Sequence, residues 1–541
     1  MLSNRKIVRF LIIVQISIYI SYSLKSLGDL LPFYFSNTDP AYEYLINGVN
    51  LNYGVPPGHA DHPGSTVQWL VFLTNKIYSI ITARNIELKV DFVSRPEHYA
   101  IFFSLVTILL HSSVMYLLTN KLVTVYKKNT FIFYPTVLLL ISYPFIDQIV
   151  GIKPENLLII ATSLLLYSIL HFFEFKQSRK SIMIPVTLGT IFAFGVSTKF
   201  TFILFAGIFL FIKNTSNKVI FVITSVLVAL VINIKLIGVF SYTWFVNIIL
   251  YGGRYGQDRP KDYLNILVTL KDLVLYQFQI IGIIAILSIC IATNRQGRQN
   301  IFQIKALKIY SLLVISGLVL IVKESLPRDF LFISPILAVI FLVLVASAPS
   351  ITILKFFARY ANKFIAGITI IFIICQIAII NSSELKYINN IFPNQENEEI
   401  IVSQNHKLYE NRFTELLSSG EIVITDYDAP TQFAALQFGN VMYGESSVRD
   451  EIDQIYPTSL HVVGSNIYNG KSEIIGCQLF PKFENEGRDI YLLTRSGTEF
   501  ISRINSSIHG YDWQLSENYI QYKETGLDWK IYEVSNTKCR S

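Results

Sequence analysis

The sequence predicts a polytopic α-helical membrane protein that ends in an α/β domain. Of its 541 residues, 52% are hydrophobic and only 15% are charged, and a soluble globular protein does not have this composition. The net charge of +7 does not indicate a nucleic-acid partner, because the basic residues lie in short clusters between long apolar runs. The apolar runs give way to a mixed polar sequence after residue 382, which marks a second domain.

Eleven apolar runs are candidate membrane spans, because a helix needs about 20 mostly apolar residues to cross a hydrocarbon core of about 30 Å. We expect them at residues 7–24, 100–120, 130–149, 156–173, 182–197, 200–212, 219–239, 273–293, 308–322, 330–348 and 364–381. The two runs on either side of "STKF" are short. They fit two spans, one kinked span or a re-entrant hairpin.

The basic clusters predict the orientation of the chain. With Arg5, Lys6 and Arg9 in the cytoplasm, the dense basic clusters of the alternate loops also fall on the cytoplasmic side. The same assignment places residues 25–99, 150–155, 240–263, 323–329 and 382–541 outside. Because Ile, Asn and Lys are frequent, as in many bacterial chains, we expect a bacterial inner (plasma) membrane with the C-terminal domain periplasmic or extracellular.

Two domains follow from this pattern. Residues 1–381 form the predicted transmembrane domain, which includes a first external loop, 25–99, with amphipathic helices. Residues 382–541 form the α/β domain, because "EIVITDY", "RDIYLLT" and "DWKIYEVS" resemble strands separated by turns. This domain has no nucleophile elbow, P-loop or zinc-binding spacing, so no chemistry of its own is assigned to it.

The first external loop carries a candidate catalytic base. In "TDPAYEYLINGVNL", Thr38 or Asp39 can cap a helix with Pro40 at its first position. Apolar residues then recur at helical spacing, which is typical of an amphipathic helix on a membrane surface. Asp39 and Glu43 are four residues apart and share one face. Asp39 can be a catalytic carboxylate or an ordinary helix cap. Glu43 can be the partner of Asp39 in an acidic site, or it can belong to a solvated face of the helix.

The segment "GVPPGHADHPGSTVQWL" places His59, Asp61 and His62 within four positions. Such a cluster can ligate a metal or share protons with a substrate hydroxyl. A turn that carries polar side chains explains the same residues. Three residues in one turn do not make a closed metal site, so no metal site is predicted.

Cations recur where the apolar runs reach the external side, against the cytoplasmic bias of basic residues. They are Lys153, Lys199, Arg254, Arg259, Lys261, Lys323 and Arg328. Lys and Arg make charge-assisted hydrogen bonds to phosphate oxygens, so a lipid phosphate would account for the whole set. Snorkelling to phospholipid headgroups accounts for any single member.

The order of these features resembles that of the C-type (GT-C) glycosyltransferases. After the first span come the acidic "DPAYEYL", then "HPG" leading into "STVQWL", Arg95 before the second span, and "KPEN" at the external end of the third. The likeness covers roughly the first 200 residues and is greatest to the aminoarabinose transferase and protein O-mannosyltransferase branch. The chain departs from the pattern at Pro40, where these families commonly have a second acidic residue, and at His62, where they have a basic one.

The resemblance implies a hexosyl- or pentosyltransferase that moves a sugar from a polyprenyl-phosphate donor to an envelope lipid, glycan or protein on the external face. Asp39 would be the general base, with Glu43 beside it, and a single displacement would invert the anomeric centre. The donor phosphate would be bound by Lys153, Lys199, Arg254 and Arg328, and substrate by His59, Asp61, His62, Arg95 and Glu155. The resemblance implies no required cofactor, and a divalent cation is compatible with it.

Two other classes of protein fit the same spans. One is a transporter or a flippase for lipid-linked glycans, and the other is a membrane-anchored binding protein. Few charged residues lie at the predicted midplanes, where a transport pathway would usually place them. A binding protein leaves the acidic first loop without a role. The pattern therefore favours the enzyme.

Overall fold

The described part of the chain is helical up to residue 235 and contains a β-sheet towards its C-terminus. The computed structural model describes residues 2–29, 33, 38–58, 64–82, 86–126, 131–132, 134–141, 148–174, 182–212, 214–235, 335–336, 339, 420–425, 435–436, 439, 446–455, 460–463, 489–494, 511–524 and 527–539. Within these residues, four helices are long and apolar enough to cross a membrane, at Lys6–Gly28, Pro96–Tyr126, Pro154–Phe172 and Thr215–Asn233. The protein is therefore an integral membrane protein.

The helices follow the apolar runs of the sequence. They are α1 (Leu2–Asp29), α2 (Thr38–Asn52), α3 (Ser65–Thr82), α4 (Leu88–Ser94), α5 (Pro96–Tyr126), α6 (Tyr134–Ile141), α7 (Pro154–Glu174), α8 (Met183–Thr198) and α9 (Thr215–Asn233), with a 3₁₀ helix at Phe200–Phe211 between the last two. The helices predicted at 7–24, 100–120 and 156–173 are confirmed, and the helix Thr215–Asn233 confirms the first part of the one predicted at 219–239. The spans predicted at 273–293, 308–322 and 364–381, and most of the one at 330–348, lie outside the described residues.

The two short apolar runs meet at a break in helical structure. Helix α8 ends at Thr198, and the 3₁₀ helix begins immediately after Lys199. The ring of Phe202 packs against α8 where Gly195 has no side chain, since a Cβ atom at Gly195 would lie 2.5 Å from Cγ of that ring. The glycine therefore lets the chain turn tightly at Lys199.

The chain divides into two compact units. The membrane unit comprises Met1–Leu31, Asn47–Arg84 and His98–Gln376, and the loop–sheet unit comprises Pro32–Ile46, Asn85–Glu97 and Ile377–Ser541. Two stretches of the predicted first external loop are thus grouped with the C-terminal residues. The domain boundary at 381 stays a prediction.

The described C-terminal residues include a five-stranded mixed sheet. Its strands are β1 (Gly420–Thr425), β2 (Leu460–Val463), β3 (Asp489–Thr494), β4 (Tyr511–Glu524) and β5 (Leu527–Cys539), in the order β2-β1-β3-β5-β4. β1 pairs in parallel with β2 and β3, while β5 pairs antiparallel with β3 and β4. A parallel pair needs a crossover connection, and helix α10 (Arg449–Ile455) lies in the one from β1 to β2. The three predicted strands are present as β1, β3 and β5.

Side-chain hydrogen bonds connect the apolar helices of the membrane unit. The Tyr19 hydroxyl of α1 bonds to Nδ1 of His111 on α5 at 2.8 Å, and both side chains are buried. The Ser104 hydroxyl of α5 donates to the backbone oxygen of Val150 at 2.7 Å. Such bonds supply cohesion between helices that gain little from hydrophobic contact in lipid.

Helices α2 and α3 approach each other closely at Gly48. A Cβ atom at this position would lie 2.7 Å from Cβ of Val71 and 3.0 Å from the backbone nitrogen of Phe72. Backbone cannot move aside as the end of a flexible side chain can. Only glycine fits this crossing without a shift of one helix.

We expect Gly48→Ala to destabilise the protein by about 1–3 kcal/mol, the usual cost of overpacking a tight contact. The measurement is the thermal unfolding midpoint of the detergent-solubilised protein. Gly28→Ala is the matched control, because Gly28 is also helical and a Cβ atom there would have nothing within 4 Å. A Gly48→Ala protein as stable as the control would contradict the close crossing.

Candidate functional site

Helix α2 carries the acidic pair singled out in the sequence. Asp39 lies in its first turn and Glu43 one turn later, so the helix predicted for this segment is confirmed. The backbone of Asp39 is described, whereas its side chain lies outside the described part. The side chain of Glu43 is buried, with 2% of the residue exposed, and every residue from 41 to 50 is buried as well. Glu43 therefore does not lie on a solvated face, which was one of the two alternatives for it, and the position of the helix at the membrane surface stays a prediction.

Glu97 forms hydrogen bonds to residues on both sides of the start of α2. One of its carboxylate oxygens accepts a hydrogen bond from the Tyr42 hydroxyl at 2.7 Å, and the other accepts one from the backbone N–H of Phe33 at 2.7 Å. Sequence patterns did not single this residue out. Its one signal is the run "RPEH", in which an acidic residue follows the proline that begins α5.

A segment near residue 439 packs directly on α2. A Cβ atom at Gly439 would lie 3.0 Å from the backbone oxygen of Tyr42 and 2.7 Å from Cδ1 of Ile46. Ala435 and Leu436, just before it, are fully buried. Within the loop–sheet unit, C-terminal residues thus cover one side of the acidic helix.

A second contact in the same unit is ionic. Nζ of Lys89 on α4 lies 2.5 Å from a carboxylate oxygen of Glu451 on α10, and the Glu451 side chain is only 7% exposed. A buried carboxylate needs a charged or hydrogen-bonding partner, which Lys89 supplies. The ion pair fixes α4, from the first external loop, against a helix of the C-terminal region.

Arg95 belongs to the loop–sheet unit, and its guanidinium pairs with the carboxylate of Asp91 one turn earlier. The Asp91 side chain is 5% exposed and the Arg95 side chain 19%. A guanidinium has further N–H donors beyond those that one carboxylate can use. Its predicted contact with substrate stays a prediction.

Three of the predicted site residues come together in the membrane unit. Nζ of Lys199, just after α8, lies 2.7 Å from Oε1 of Glu155 in the first turn of α7. Both residues are buried, at 7% and 8% exposed. Lys153, two residues before Glu155, is half-buried and close enough to it to interact electrostatically. The three charged side chains thus form one cluster beside the start of α7.

A seam of polar side chains holds the end of α8 beside Lys199. Thr66 Oγ1 lies 2.6 Å from Oγ1 of Thr198, and Asn233 Nδ2 donates to Oγ of Ser197 at 2.9 Å. The Ser65 hydroxyl donates to Oδ1 of the same Asn233 at 2.5 Å. The motif "STVQWL" therefore begins with residues that join α3 to α8 and α9. The run of hydroxyl residues in an otherwise apolar helix is the signal that sequence reasoning left unused.

The remaining predicted site residues lie outside the described part of the chain. They are His59, Asp61, His62, Arg254 and Arg328. Among the residues that are described, no three His, Cys, Asp or Glu side chains form a group that could hold a metal ion. A role for a divalent cation is untested.

The Glu155–Lys199 pair yields a test of its own. Removing one partner of a buried ion pair leaves the other charge uncompensated, at a cost of about 3–5 kcal/mol. We expect Lys199→Met and Glu155→Gln each to lower the thermal unfolding midpoint in detergent, and the double variant to lose less than the two single losses combined. Lys235→Met, at an exposed lysine after α9, is the control. Fully additive losses would show that the pair does not interact.

No protein-family model matches the sequence, and no curated protein matches it. Among solved structures, the chain is similar to ArnT from Cupriavidus metallidurans, whose crystal structure was determined bound to undecaprenyl phosphate. The likeness covers 95% of this chain and 98% of that chain, with a TM-score of 0.49 and 11% sequence identity. A likeness at this level assigns the chain to no family, so its function has to be argued from its own residues.

Proposed function

We propose that the protein is a membrane glycosyltransferase that moves a sugar from a polyprenyl-phosphate donor to an envelope acceptor on the external membrane face. The observation that carries the proposal is the acidic helix α2, which follows the first apolar helix after a short connection and buries Glu43 one turn after Asp39. Burying a carboxylate is costly and needs a reason. Activation of a hydroxyl group beside a membrane is such a reason.

The proposed chemistry is a single displacement. The carboxylate of Asp39 takes the proton of an acceptor hydroxyl as its oxygen bonds to the anomeric carbon. The bond from that carbon to the phosphate oxygen breaks, and polyprenyl phosphate leaves with the electron pair. Attack from the face opposite the leaving group inverts the anomeric centre. Glu43 supports Asp39 from the next turn of the same helix.

Positive charge is the second requirement, because the leaving phosphate gains negative charge as the bond breaks. The cluster of Lys153, Glu155 and Lys199 supports this role, since it places two lysines near the start of α7 and the end of α8. In the proposal Lys199 and Lys153 hold the donor phosphate, together with Arg254 and Arg328, while Glu155 orients Lys199. The sugar and the acceptor are contacted by His59, Asp61, His62 and Arg95.

The donor and acceptor are found by comparing cell-envelope glycans and lipids, by mass spectrometry, from cells with and without the gene. A sugar missing from one component names the acceptor and the sugar together. The second experiment supplies donor lipid and acceptor to the purified protein in the same micelles. A transporter or flippase would transfer no sugar under these conditions. That outcome would overturn the proposal.

Asp39→Asn keeps the size of the side chain and removes the base. Because general base catalysis contributes roughly 10²–10⁴-fold, we expect transfer to fall by at least about 100-fold at equal membrane abundance. Transfer is measured as the restored sugar in the deletion strain and as product formed by purified protein.

Asp450→Asn is the matched control for this substitution. Asp450 is exposed on α10, outside the acidic helix, so its replacement should leave transfer unchanged. If Asp39→Asn transfers sugar as fast as the Asp450→Asn control, Asp39 is not the base.

A further inference from the structure

Glu97 holds the chain on both sides of the proposed base. Tyr42, whose hydroxyl donates to Oε1 of Glu97, comes three residues after Asp39 on the same helix. Phe33, whose backbone N–H donates to Oε2, comes six residues before it. One carboxylate therefore binds two points of the chain that flank Asp39.

The two bonds are of the strong kind. An ionised carboxylate only accepts hydrogen bonds, and bonds to a charged acceptor are roughly twice as strong as those between neutral groups. Both measure 2.7 Å, and both donor residues, Phe33 and Tyr42, are fully buried. A buried donor that loses its acceptor has no water to replace it, so the arrangement resists being opened.

Glu97 is itself well fixed along the chain. It is the second residue of α5, directly after Pro96, whose ring restricts the backbone at the helix start. α5 as a whole has 31 residues. The carboxylate that binds Tyr42 and Phe33 thus belongs to the first turn of a helix, and a rigid support is what a positioned catalytic group requires.

We infer that Glu97 is a positioning residue for Asp39, acting through Tyr42 and the backbone of Phe33 to hold the first turn of α2 in its reactive place. The inference rests on the proposed glycosyl transfer. Glu97 need not touch substrate. Its effect should appear in the maximal rate, because a displacement of the base by about 1 Å can cost on the order of 100-fold in rate without weakening donor binding.

The test uses two small changes in the full-length protein. Tyr42→Phe removes one hydroxyl, and Glu97→Gln replaces one acceptor oxygen by an NH₂ group that cannot accept. The assay follows transfer by purified protein from the polyprenyl-phosphate-sugar fraction of the host membranes to the acceptor identified in the gene comparison. We expect each variant to lower the maximal rate by roughly 10- to 100-fold, with the half-saturating amount of donor lipid changed less than about twofold.

Two controls match the chemistry of these substitutions. Tyr116→Phe removes a hydroxyl from the middle of α5, and Glu87→Gln neutralises a carboxylate whose side chain is 54% exposed. Both should keep the wild-type rate. If Glu97→Gln does not accumulate in the membrane, Tyr42→Phe carries the test, because it removes a single oxygen atom and leaves the charge of Glu97 in place.

A double-variant cycle separates positioning from general structural damage. In the Asp39→Asn background the base is absent, so adding Tyr42→Phe should lower the residual rate little or not at all. The inference is overturned if Tyr42→Phe lowers the transfer rate by the same factor in the wild-type and Asp39→Asn backgrounds. It is also overturned if Tyr42→Phe and Glu97→Gln both keep the wild-type rate. In either case the role of Asp39 stands. A wild-type rate in Asp39→Asn alone overturns the proposed function instead.

Discussion

Apolar helices that lie in lipid gain little from contact with each other, because the lipid chains around them are equally apolar. The cohesion of the membrane unit therefore depends on its few polar side chains and on places where backbones come close. The bond between Tyr19 and His111 joins α1 to α5, and the seam through Thr66 and Thr198 joins α3 to α8. Gly48 lets α2 approach α3 closely, and Gly195 leaves room for the ring of Phe202.

In both units a buried charged side chain is paired with a side chain of opposite charge. In the membrane unit Glu155 compensates Lys199, and in the loop–sheet unit Lys89 compensates Glu451. Glu97 accepts hydrogen bonds from the Tyr42 hydroxyl and from the backbone N–H of Phe33.

Periodicity and composition predicted the long helices well, because each is a continuous apolar run of the length that a bilayer selects. They also predicted β1 and β3, which contain short apolar runs, and β5, whose apolar residues are interspersed with charged ones. They missed β2, which has only four residues, and β4, where Ser516, Glu517 and Asn518 look like a turn but lie at a register irregularity against β5. Short or irregular strands are specified by their partners, and a single sequence does not show the partner.

The candidate site was predicted only in part, for a related reason. Asp39, Glu43, Glu155 and Lys199 were singled out because charge is conspicuous next to apolar runs, and their roles stay predictions. The burial of Glu43 and the pairing of Glu155 with Lys199 were not found, since these depend on which helices become neighbours. Glu97 was missed because a glutamate after proline at a helix start is an ordinary cap signal.

The 3₁₀ helix at Phe200–Phe211 has a consequence for counting membrane segments. A 3₁₀ helix rises about 2.0 Å per residue instead of 1.5 Å, so its twelve residues reach about 24 Å where an α-helix would reach about 18 Å. A segment that falls short of the usual span length can then cover most of a hydrocarbon core of about 30 Å. Length thresholds based on the α-helix undercount such segments, and a topology derived from them can be shifted by one crossing.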